Sequence, residues 1–452
     1  KIGLSKKEGF EIVKKINSSG KIDFLNIIKG HIDTDPALTK VIPIQGMPTA
    51  PHLDFAGEVK KMVNIPIFHA SKINDISTAR YAIESGKLDM VGMTRAHIAD
   101  PYIIKKLINK EEEKIRPCVG ATYCLDRIYE GKDTLCIHNP ATGREMSMPH
   151  LLKKKVSGLK KIIVVGAGPA GLEAARVCSE QGHSVTVFEA SDKPGGQINL
   201  ITRSKRRKDM AGIIDWRINI CEANKVKFNF NSFASKEEIL SEKPDIVIIA
   251  TGGIPNTDIL NEGSDLVAST WDILSGNVNI EDDVILYDDG GNYPGLQAAE
   301  MISSETSKLE IVTPERFFSP DIGGMNFVPY GKNFYEKNVK ISLNSRVKSV
   351  FRKGNRLGVK ISSDYSDLTF EKETSQVIVE HGTSPVDDLY FELKDQSKNL
   401  GQVDYKSLIK GLNKEIIKNK KGDFFLFRVG DAISSRNIHA AIYDSLRICK
   451  DF

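Results

Sequence analysis

Three glycines that separate an apolar run from an amphipathic stretch restrict the possible folds of this chain more than any other feature. Ile162–Val165 has the composition of a buried strand, and Leu172–Gln181 has the spacing of a helix. In such a turn Gly166 permits the tight reversal, Gly168 lets a pyrophosphate approach the backbone, and Gly171 lets the helix pack closely on the strand. The pattern predicts the strand, turn and helix that open a dinucleotide-binding domain.

A carboxylate at the end of the next predicted strand supports this interpretation. Val185–Glu189 is an apolar run that ends in Glu189, close to the offset of about 20 residues at which an acidic side chain binds a ribose hydroxyl. An ordinary glycine-rich turn requires no such acid. We therefore interpret the glycines and Glu189 as an FAD-type site.

A second unit of the same plan follows about 120 residues later, the offset between the two Gly-rich turns. The apolar run Val284–Tyr287 leads through Gly290, Gly291 and Gly295 into the predicted helix Leu296–Ser304. The chain thus contains two βαβ units.

This second unit is predicted to be degenerate. With the last glycines of the two units aligned, Asn292 replaces the middle glycine, so a side chain stands where a pyrophosphate should approach. Asp288 and Asp289 add negative charge that should repel a phosphate. The strand Leu309–Val312 ends without a ribose-binding acid, although Arg316 could meet a 2′-phosphate, which keeps NADPH as an alternative.

The first 110 residues alternate helical and strand patterns, as parallel α/β sheets do. The predicted strands are Phe24–Ile28, Ile65–Ala70 and Leu88–Met93. The predicted helices are Glu8–Ile16, Leu53–Val63, Ile76–Ser85 and Pro101–Ile108. Because a (β/α)8 barrel needs eight strands, either the sheet is open or Lys1 is not the true start of the protein.

Three of the six cysteines are clustered in a stretch with little periodicity, residues 111–157. They are Cys118, Cys124 and Cys136, whereas Cys178, Cys221 and Cys449 are scattered. Clustered cysteines in a chain of this size indicate a metal or cluster site rather than a disulfide framework. Buried, inert thiols are the alternative.

Length and composition exclude several classes of protein. A chain of 452 residues exceeds a single hydrophobic core and indicates two or three domains. The net charge of +4 arises from 63 basic and 59 acidic residues without a basic stripe, so a nucleic-acid partner is not expected. No apolar run approaches the roughly 20 residues of a membrane span. Since no targeting segment can be read, we expect a cytoplasmic protein.

Several short motifs after Glu189 resemble those of the flavoproteins with two dinucleotide-binding domains. The residues that carry this resemblance are Pro194, Gly195, Gly196, Gln197, Thr251, Gly252, Gly430 and Asp431. The resemblance implies that the strand ending at Thr251 and Gly252 crosses between the two domains. It also implies that Asp431 approaches the ribityl chain of the flavin.

Arg116-Pro117-Cys118 with Cys124 and Cys136 resembles the iron–sulfur segment of the family that contains trimethylamine dehydrogenase, histamine dehydrogenase and 2,4-dienoyl-CoA reductase. The resemblance implies a 4Fe-4S cluster, and thiolates are suitable ligands for iron. The sequence departs from the family pattern because Ala121 stands where the second cysteine belongs. Three thiolates with another ligand, a three-iron form and loss of the cluster all remain open.

The N-terminal region resembles the last strands of the FMN barrel in the same family. Leu88–Arg95 and Ala99-Asp100-Pro101 are similar to the eighth strand and its phosphate loop. The implied ligands of the FMN phosphate are Lys72, Gly92, Met93, Thr94 and Arg95. For Lys72 alone, a solvated surface lysine is the alternative.

Within this family the chain looks most like the branch that demethylates dimethylglycine and N-methylproline-type amines, on residues 30–36 and 137–145. The resemblance implies oxidative N-demethylation, with electrons passing from FMN through the cluster to an electron-transfer flavoprotein, and a homo-oligomer. His31 is the candidate catalytic residue in contact with substrate, and a hydrogen-bonded loop histidine is its alternative. An NADPH-dependent dienoyl-CoA or enoate reductase and a non-catalytic nucleotide-binding fragment are the alternative functions.

We therefore predict an α/β protein in which a partial (β/α)8 barrel precedes two Rossmann-like domains, and we expect the N-terminal barrel strands to be missing. The predicted divisions are the barrel part at 1–115, the iron–sulfur segment and linker at 116–160, the FAD-type domain (FAD, or ADP in the same site) at 161–280 and 385–452, and the degenerate NAD-like domain at 281–384.

Overall fold

The computed structural model describes residues 3–306, 308–412 and 416–452, and these residues form an α/β fold. Five sheets are present in this part of the chain, and the two largest have five strands each. No helix in these ranges is long and apolar enough to cross a bilayer.

The N-terminal unit contains a three-stranded parallel sheet in the order β1-β2-β3. Its elements are α1 (Lys6–Ser18), β1 (Leu25–Ile27), α2 (Asp35–Val41), α3 (Leu53–Lys60), β2 (Ile67–His69), α4 (Ile76–Glu84), β3 (Met90–Val91), α5 (Thr94–Ala99) and α6 (Ile103–Ile108). The three predicted strands are present, each shorter than expected. The cysteine segment that follows contains a helix that its weak periodicity did not predict, α7 (Tyr123–Tyr129).

The first dinucleotide-type unit is built on a five-stranded parallel sheet in the order β18-β7-β4-β5-β6. Its first elements are β4 (Lys161–Val165), α8 (Pro169–Glu180), β5 (Ser184–Phe188), α9 (Ile198–Ile201), α10 (Gly212–Ala223), β6 (Lys227–Asn229), α11 (Lys236–Ser241), β7 (Ile246–Ile249) and β8 (Gly253–Pro255). β4 and β7 are fully or nearly fully buried, as expected for central strands covered by helices on both faces.

The second unit has its own five-stranded parallel sheet, in the order β12-β11-β10-β16-β9. Its elements are β9 (Ala268–Ser269), α12 (Thr270–Ser275), β10 (Asp283–Asp288), α13 (Tyr293–Glu305), β11 (Lys308–Val312), α14 (Gly324–Glu336), β12 (Lys340–Ser342), β13 (Ser345–Lys353), β14 (Arg356–Ser363), β15 (Thr369–Thr374), β16 (Gln376–Glu380) and β17 (Thr383–Pro385). β9 joins this sheet although it precedes residue 281. The antiparallel sheet β13-β14-β15 was not predicted.

The chain then returns to the first unit. The remaining elements are α15 (Asp388–Lys394), α16 (Tyr405–Ile409), β18 (Phe425–Arg428) and α17 (Ile438–Cys449). β18 extends the first sheet beside β7, and α17 packs against α8. This return places residues 430–441 at the carboxyl edge of the first sheet, where ligands of such folds bind.

A buried group of charges fixes α8 to its neighbours. Glu173 on α8 is fully buried and accepts hydrogen bonds from Arg176 (2.7 Å) and from Arg217 on α10 (2.8 Å). Burial alone would raise the pKa of Glu173, but the two guanidinium groups lower it to about 2. Arg217 also donates to the carbonyl of His138 (3.0 Å), which ties the cysteine segment to the same network.

Replacing Glu173 is expected to be costly. Glu173→Gln leaves the buried Arg217 without its charged partner and should lower the free energy of unfolding by about 3–5 kcal/mol in urea titrations. Because the pKa of Glu173 is lower in the folded state, its contribution is fully present above about pH 4.3 and is lost as the pH falls toward 2. Glu180→Gln, which removes the more exposed partner of Arg176, is the control and should cost less than about 1 kcal/mol. Equal losses in the two variants would contradict this assignment.

Candidate functional site

A cavity of about 850 Å³ lies at the carboxyl edge of the first sheet, above the turn between β4 and α8. Its volume is within the usual range for cofactor sites. Eight predicted cofactor-binding residues line it, namely Gly166, Gly168, Glu189, Gly196, Gln197, Thr251, Gly252 and Asp431. Gly171, Gly195 and Gly430 do not line the cavity, but each contacts a residue that does.

The three glycines of the turn have different surroundings, as the sequence predicted. A Cβ atom on Gly168 would meet no atom within 4 Å, so the backbone at this position is open. A Cβ atom on Gly171 would overlap the carbonyl oxygen of Gly166, because α8 packs directly on the turn. Gly166 has φ +104°, a conformation that other residues rarely adopt. The turn can therefore receive a pyrophosphate at Gly168.

Glu189 lies at the end of β5 with its carboxylate directed at the turn. It accepts a hydrogen bond from the backbone of Ala167 (2.6 Å) and one from the backbone of Ser191 (2.8 Å). These two bonds fix the carboxylate beside the cavity, and each oxygen keeps a further lone pair. This is the position from which an acid can accept a hydrogen bond from a ribose hydroxyl.

Asp431 occupies the other side of the cavity. Its carboxylate accepts hydrogen bonds from the side chain of Gln197 (3.0 Å) and the backbone of Arg436 (3.2 Å), and burial raises its pKa. Thr251 Oγ1 donates to the carbonyl of Val386 and so fixes the crossing between the units. Residues from distant parts of the chain thus meet at one site.

Further lining residues were not predicted. They are contributed by the segment after β6, by α12 and by the start of α17, and include Ser232, Phe233, Trp271, Arg436 and Asn437. No local motif marks them, because their position depends on how the sheets and the crossing segments meet.

The turn of the second unit makes the same backbone hydrogen bond as the first turn but has different residues beside it. In the first unit the backbone of Gly195 donates to the carbonyl of Ala167 (2.9 Å), and a Cβ atom on Gly196 would lie 3.3 Å from Gly168. In the second unit the backbone of residue 321 donates to the carbonyl of residue 291 (3.1 Å). Asn292 and the buried Ile322 therefore stand at the positions of Gly168 and Gly196.

Asp288 lies beneath the turn, and the repulsion expected from its charge stays a prediction. The side chain is buried and accepts hydrogen bonds from the backbones of Gly290 (2.9 Å) and Gly291 (3.0 Å), beneath the turn. Burial raises the pKa of Asp288 to about 7. Asp289 is paired with His381 (2.9 Å). The side chain of Asn292, which directly precedes α13, distinguishes this turn from the first.

The predicted FMN-phosphate residues lie at the carboxyl edge of the N-terminal sheet. Gly92 follows β3, and its backbone donates to the carbonyl of His69 at the end of β2 (2.9 Å). Met93 and Thr94 form the start of α5. Arg95 donates to the carbonyl of Pro43 (2.8 Å).

Lys72 is buried, which excludes the alternative of a solvated surface lysine. Its ammonium group donates to the carbonyls of Ile44 (3.2 Å) and Met47, and burial lowers its pKa. The hydroxyl of Ser71 is also buried and has no partner among the described residues. Buried donors at the carboxyl edge of a parallel sheet fit a phosphate or flavin ligand.

His31 is not brought to this edge by any described contact. Its ring is exposed and pairs with Asp33 two residues later. A role in contact with substrate therefore stays a prediction.

The three clustered cysteines lie close to one another. Cys118 is half-buried, and Cys124 and Cys136 are buried. Burial, with the neighbouring Cys118 and Cys136, raises the pKa of Cys124 to about 12. Cys136 Sγ accepts a hydrogen bond from the backbone of His138 (3.4 Å). In residues 3–306, 308–412 and 416–452, however, no set of three or more His, Cys, Asp or Glu side chains is arranged to hold a metal ion.

Comparison with known proteins shows which family matches the chain and which proteins it is similar to. The family described as pyridine nucleotide-disulphide oxidoreductase matches residues 123–280 and 160–407. The chain is 53% identical over 449 residues to "Probable N-methylproline demethylase" of Rhizobium meliloti (strain 1021), covering 99% of this chain and 66% of that protein. It is 40% identical over 462 residues to "N,N-dimethylglycine/sarcosine dehydrogenase" of Chromohalobacter salexigens, covering 100% of this chain and 67% of that protein. The chain thus spans about two thirds of the length of these relatives.

Among solved structures, a 2-naphthoyl-CoA reductase in complex with 2-naphthoyl-CoA is similar with a TM-score of 0.82 and 26% identity. The alignment covers 100% of this chain and 63% of the reductase chain. The similarity therefore includes the N-terminal unit, the cysteine segment and both dinucleotide-type units.

Two alanine substitutions should separate the roles of the glycines. Gly168→Ala leaves the fold intact, because its methyl group enters open space, but it should weaken retention of FAD or ADP by about tenfold or more. Gly171→Ala should lower the free energy of unfolding by an amount near the upper end of roughly 1–3 kcal/mol, because its methyl group meets backbone. Cofactor content after gel filtration and urea titration measure the two effects. A Gly168→Ala protein that keeps its full cofactor content would refute the assignment of the phosphate position.

Proposed function

We propose a function from one established premise: the chain belongs to the pyridine nucleotide-disulphide oxidoreductase family. We propose that it forms the larger part of a flavin-dependent enzyme that oxidatively demethylates N-methylated amino acids of the dimethylglycine or N-methylproline type. The observation that carries the proposal is the contrast between its two turns. The first is open at Gly168, whereas the second has Asn292 at that position, in a chain whose relatives are named N-methylproline demethylase and N,N-dimethylglycine/sarcosine dehydrogenase.

The reaction removes two electrons from the substrate. Loss of a hydride from the N-methyl carbon gives an iminium ion, which adds water and breaks down to formaldehyde and the secondary amine. In the overall balance, one tertiary N-methyl amine and one water give one secondary amine, one formaldehyde, two protons and two electrons. A bound flavin supplies the two-electron acceptor for such a step.

The described residues suit two flavin-type ligands. Lys72, Arg95 and the backbone at Gly92 to Thr94 would hold the phosphate of FMN at the edge of the N-terminal sheet. The turn at Gly168, with Glu189 and Asp431, would hold FAD, or ADP in the same site. The residues fit these groups because the turn is open and the buried donors lack acidic hydrogen-bond partners among the described residues.

An iron–sulfur cluster held by three thiolates is part of the proposal. Cys118, Cys124 and Cys136 would be its ligands, and such a cluster supplies one-electron transfer. Ala121 offers no donor, so the fourth position would need a ligand other than cysteine. The support is that the three thiols are neighbours, two of them buried, and that a backbone N–H donates to Cys136 Sγ.

We further propose that electrons leave to a protein, of the electron-transfer flavoprotein type, and that the enzyme is a homo-oligomer. The support for a protein acceptor is the second turn, where Asn292 replaces the glycine that is open at Gly168 in the first turn. The alternative is an NADPH-dependent reductase of dienoyl-CoA or enoate substrates, which the similarity to the 2-naphthoyl-CoA reductase favours.

Anaerobic mixing of the full-length, flavin-loaded protein with dimethylglycine or N-methylproline is expected to bleach the flavin absorbance and release formaldehyde. Stopped-flow absorbance and a formaldehyde assay measure the two effects. Proline and glycine, which lack the N-methyl group, are the matched controls and should leave the flavin oxidised.

NADPH separates the alternatives. It should reduce the flavin at most slowly under the proposal, whereas rapid reduction by NADPH without any reaction with N-methylated amino acids would establish the reductase. No reaction with either would leave the non-catalytic fragment as the best description.

A further inference from the structure

One side chain of the second unit holds the loop between two of the cysteines. Asn326, on α14, is 3% exposed. Its amide nitrogen donates to the carbonyl of Ala121 (3.3 Å) and to the carboxylate of Asp126 (2.9 Å). Its oxygen accepts from the hydroxyl of Thr122 (3.0 Å). Asn326 thus contacts three residues of the segment that carries Cys124.

This loop adopts a conformation that needs support. Thr122 has φ +64° and ψ +3°, in the left-handed region, which is strained for a β-branched residue. It precedes α7, whose buried residue is Cys124. The hydrogen bonds of Asn326 with Ala121 and Thr122 therefore fix the start of α7.

The approach of α14 to the loop is unusually close. A Cβ atom on Gly323 would overlap the carboxylate of Asp126, and one on Gly324 would lie 2.7 Å from a carboxylate oxygen of Asp35 on α2. The two glycines at the start of α14 therefore let it contact both the cysteine segment and the N-terminal unit. The start of α14 is therefore the part of the second unit that packs against the cysteine segment and the N-terminal unit.

We propose that the second dinucleotide-type unit acts as a brace for the cysteine loop, with Asn326 as the positioning residue. In a loop with a cysteine at position 121, a metal–sulfur bond would fix the middle of the loop. Here the residue is Ala121, and hydrogen bonds from Asn326 fix the same position from outside. The positioning of the thiols stands without any assumption about activity, and only its effect on a cluster rests on the proposed function.

Asn326→Asp tests the brace because the two side chains have nearly the same shape. Aspartate keeps an acceptor for Thr122 but loses both donors and faces the carboxylate of Asp126. Alkylation of Cys118 and Cys124 by iodoacetamide, followed in the full-length protein by peptide mass spectrometry, should become at least about tenfold faster, since each lost hydrogen bond contributes a factor of roughly 2–10. Iron content after anaerobic purification should fall in parallel.

Three controls make the result specific. Asn333→Ala changes the same residue type on the same helix, where Asn333 donates to Ser303 Oγ (3.0 Å), and should leave the alkylation rates unchanged. Cys178, buried in the first unit, serves as the internal reference within every variant. The exchange Asp126→Asn with Asn326→Asp restores one donor across the contact and should recover part of the protection.

The outcomes are decisive in both directions. Faster labelling of Cys118 and Cys124 in Asn326→Asp, with the Cys178 rate unchanged and partial recovery in the double variant, supports the brace. Labelling equal to that of the wild-type protein and Asn333→Ala overturns it, as does an increase that includes Cys178. Failure of the amine assay described above would leave these thiol measurements unaffected, so the two proposals can fail separately.

Discussion

The contact of α8 with the turn beneath it determines the geometry of the whole first unit. A side chain at Gly171 would overlap the carbonyl of Gly166, so the helix reaches the strand at a distance that only glycine allows. At this distance the start of α8 faces the carboxyl edge of the sheet. β5 and the returning chain then deliver Glu189 and Asp431 to opposite sides of one cavity. The same helix carries Glu173, whose ion pairs continue through Arg217 to the cysteine segment.

The second unit follows the same plan with a different turn. A Cβ atom on Gly295 would overlap the carboxylate of Asp288, so α13 also packs closely on its turn. The backbone connection from residue 321 to residue 291 is kept, while Asn292 stands where the first unit has Gly168. β11 ends at Val312, whereas the corresponding strand of the first unit is followed by Glu189. The helix that follows, α14, contacts the units before it.

Much of the fold was predictable because its signals are local. The strand, turn and helix at Gly166–Gly171, and the repeat at Gly290–Gly295, are written in contiguous residues whose spacing reflects backbone geometry. The burial of Lys72 was left open, because only long-range packing of the loop at Ile44 and Met47 against it decides the matter. The placement of Asp288 was open for a similar reason. Its position at the end of a buried strand directs the side chain inward, and burial raises its pKa.

The features that the sequence did not reveal are those made by two distant segments. Asn326 lies about 200 residues from the loop that it holds, and nothing in its neighbourhood marks it as special. Contacts such as those of Asn326 depend on how complete units pack, and a short window of the sequence does not contain that information. The short helix α7 was missed for a different reason, because a seven-residue element contains fewer than two turns of periodicity.

The charges around the cysteine loop give the arrangement of units a chemical consequence. Lys72 and Arg95 approach Cys118 from the N-terminal unit, and their positive charges lower its pKa against the larger effect of burial. Arg116 is buried and stacks on Trp216 with its guanidinium carbon 4.3 Å from the ring centroid. Among the described residues, the hydrogen bonds of Lys72 and Arg95 end on backbone carbonyls rather than on carboxylates. The carboxylate of Asp209 acts on Lys72 and Cys118 in the opposite sense to these cations, and burial is the largest effect on both groups. The nearby cations therefore offset only part of the effect of burial, which raises the pKa of all three clustered thiols.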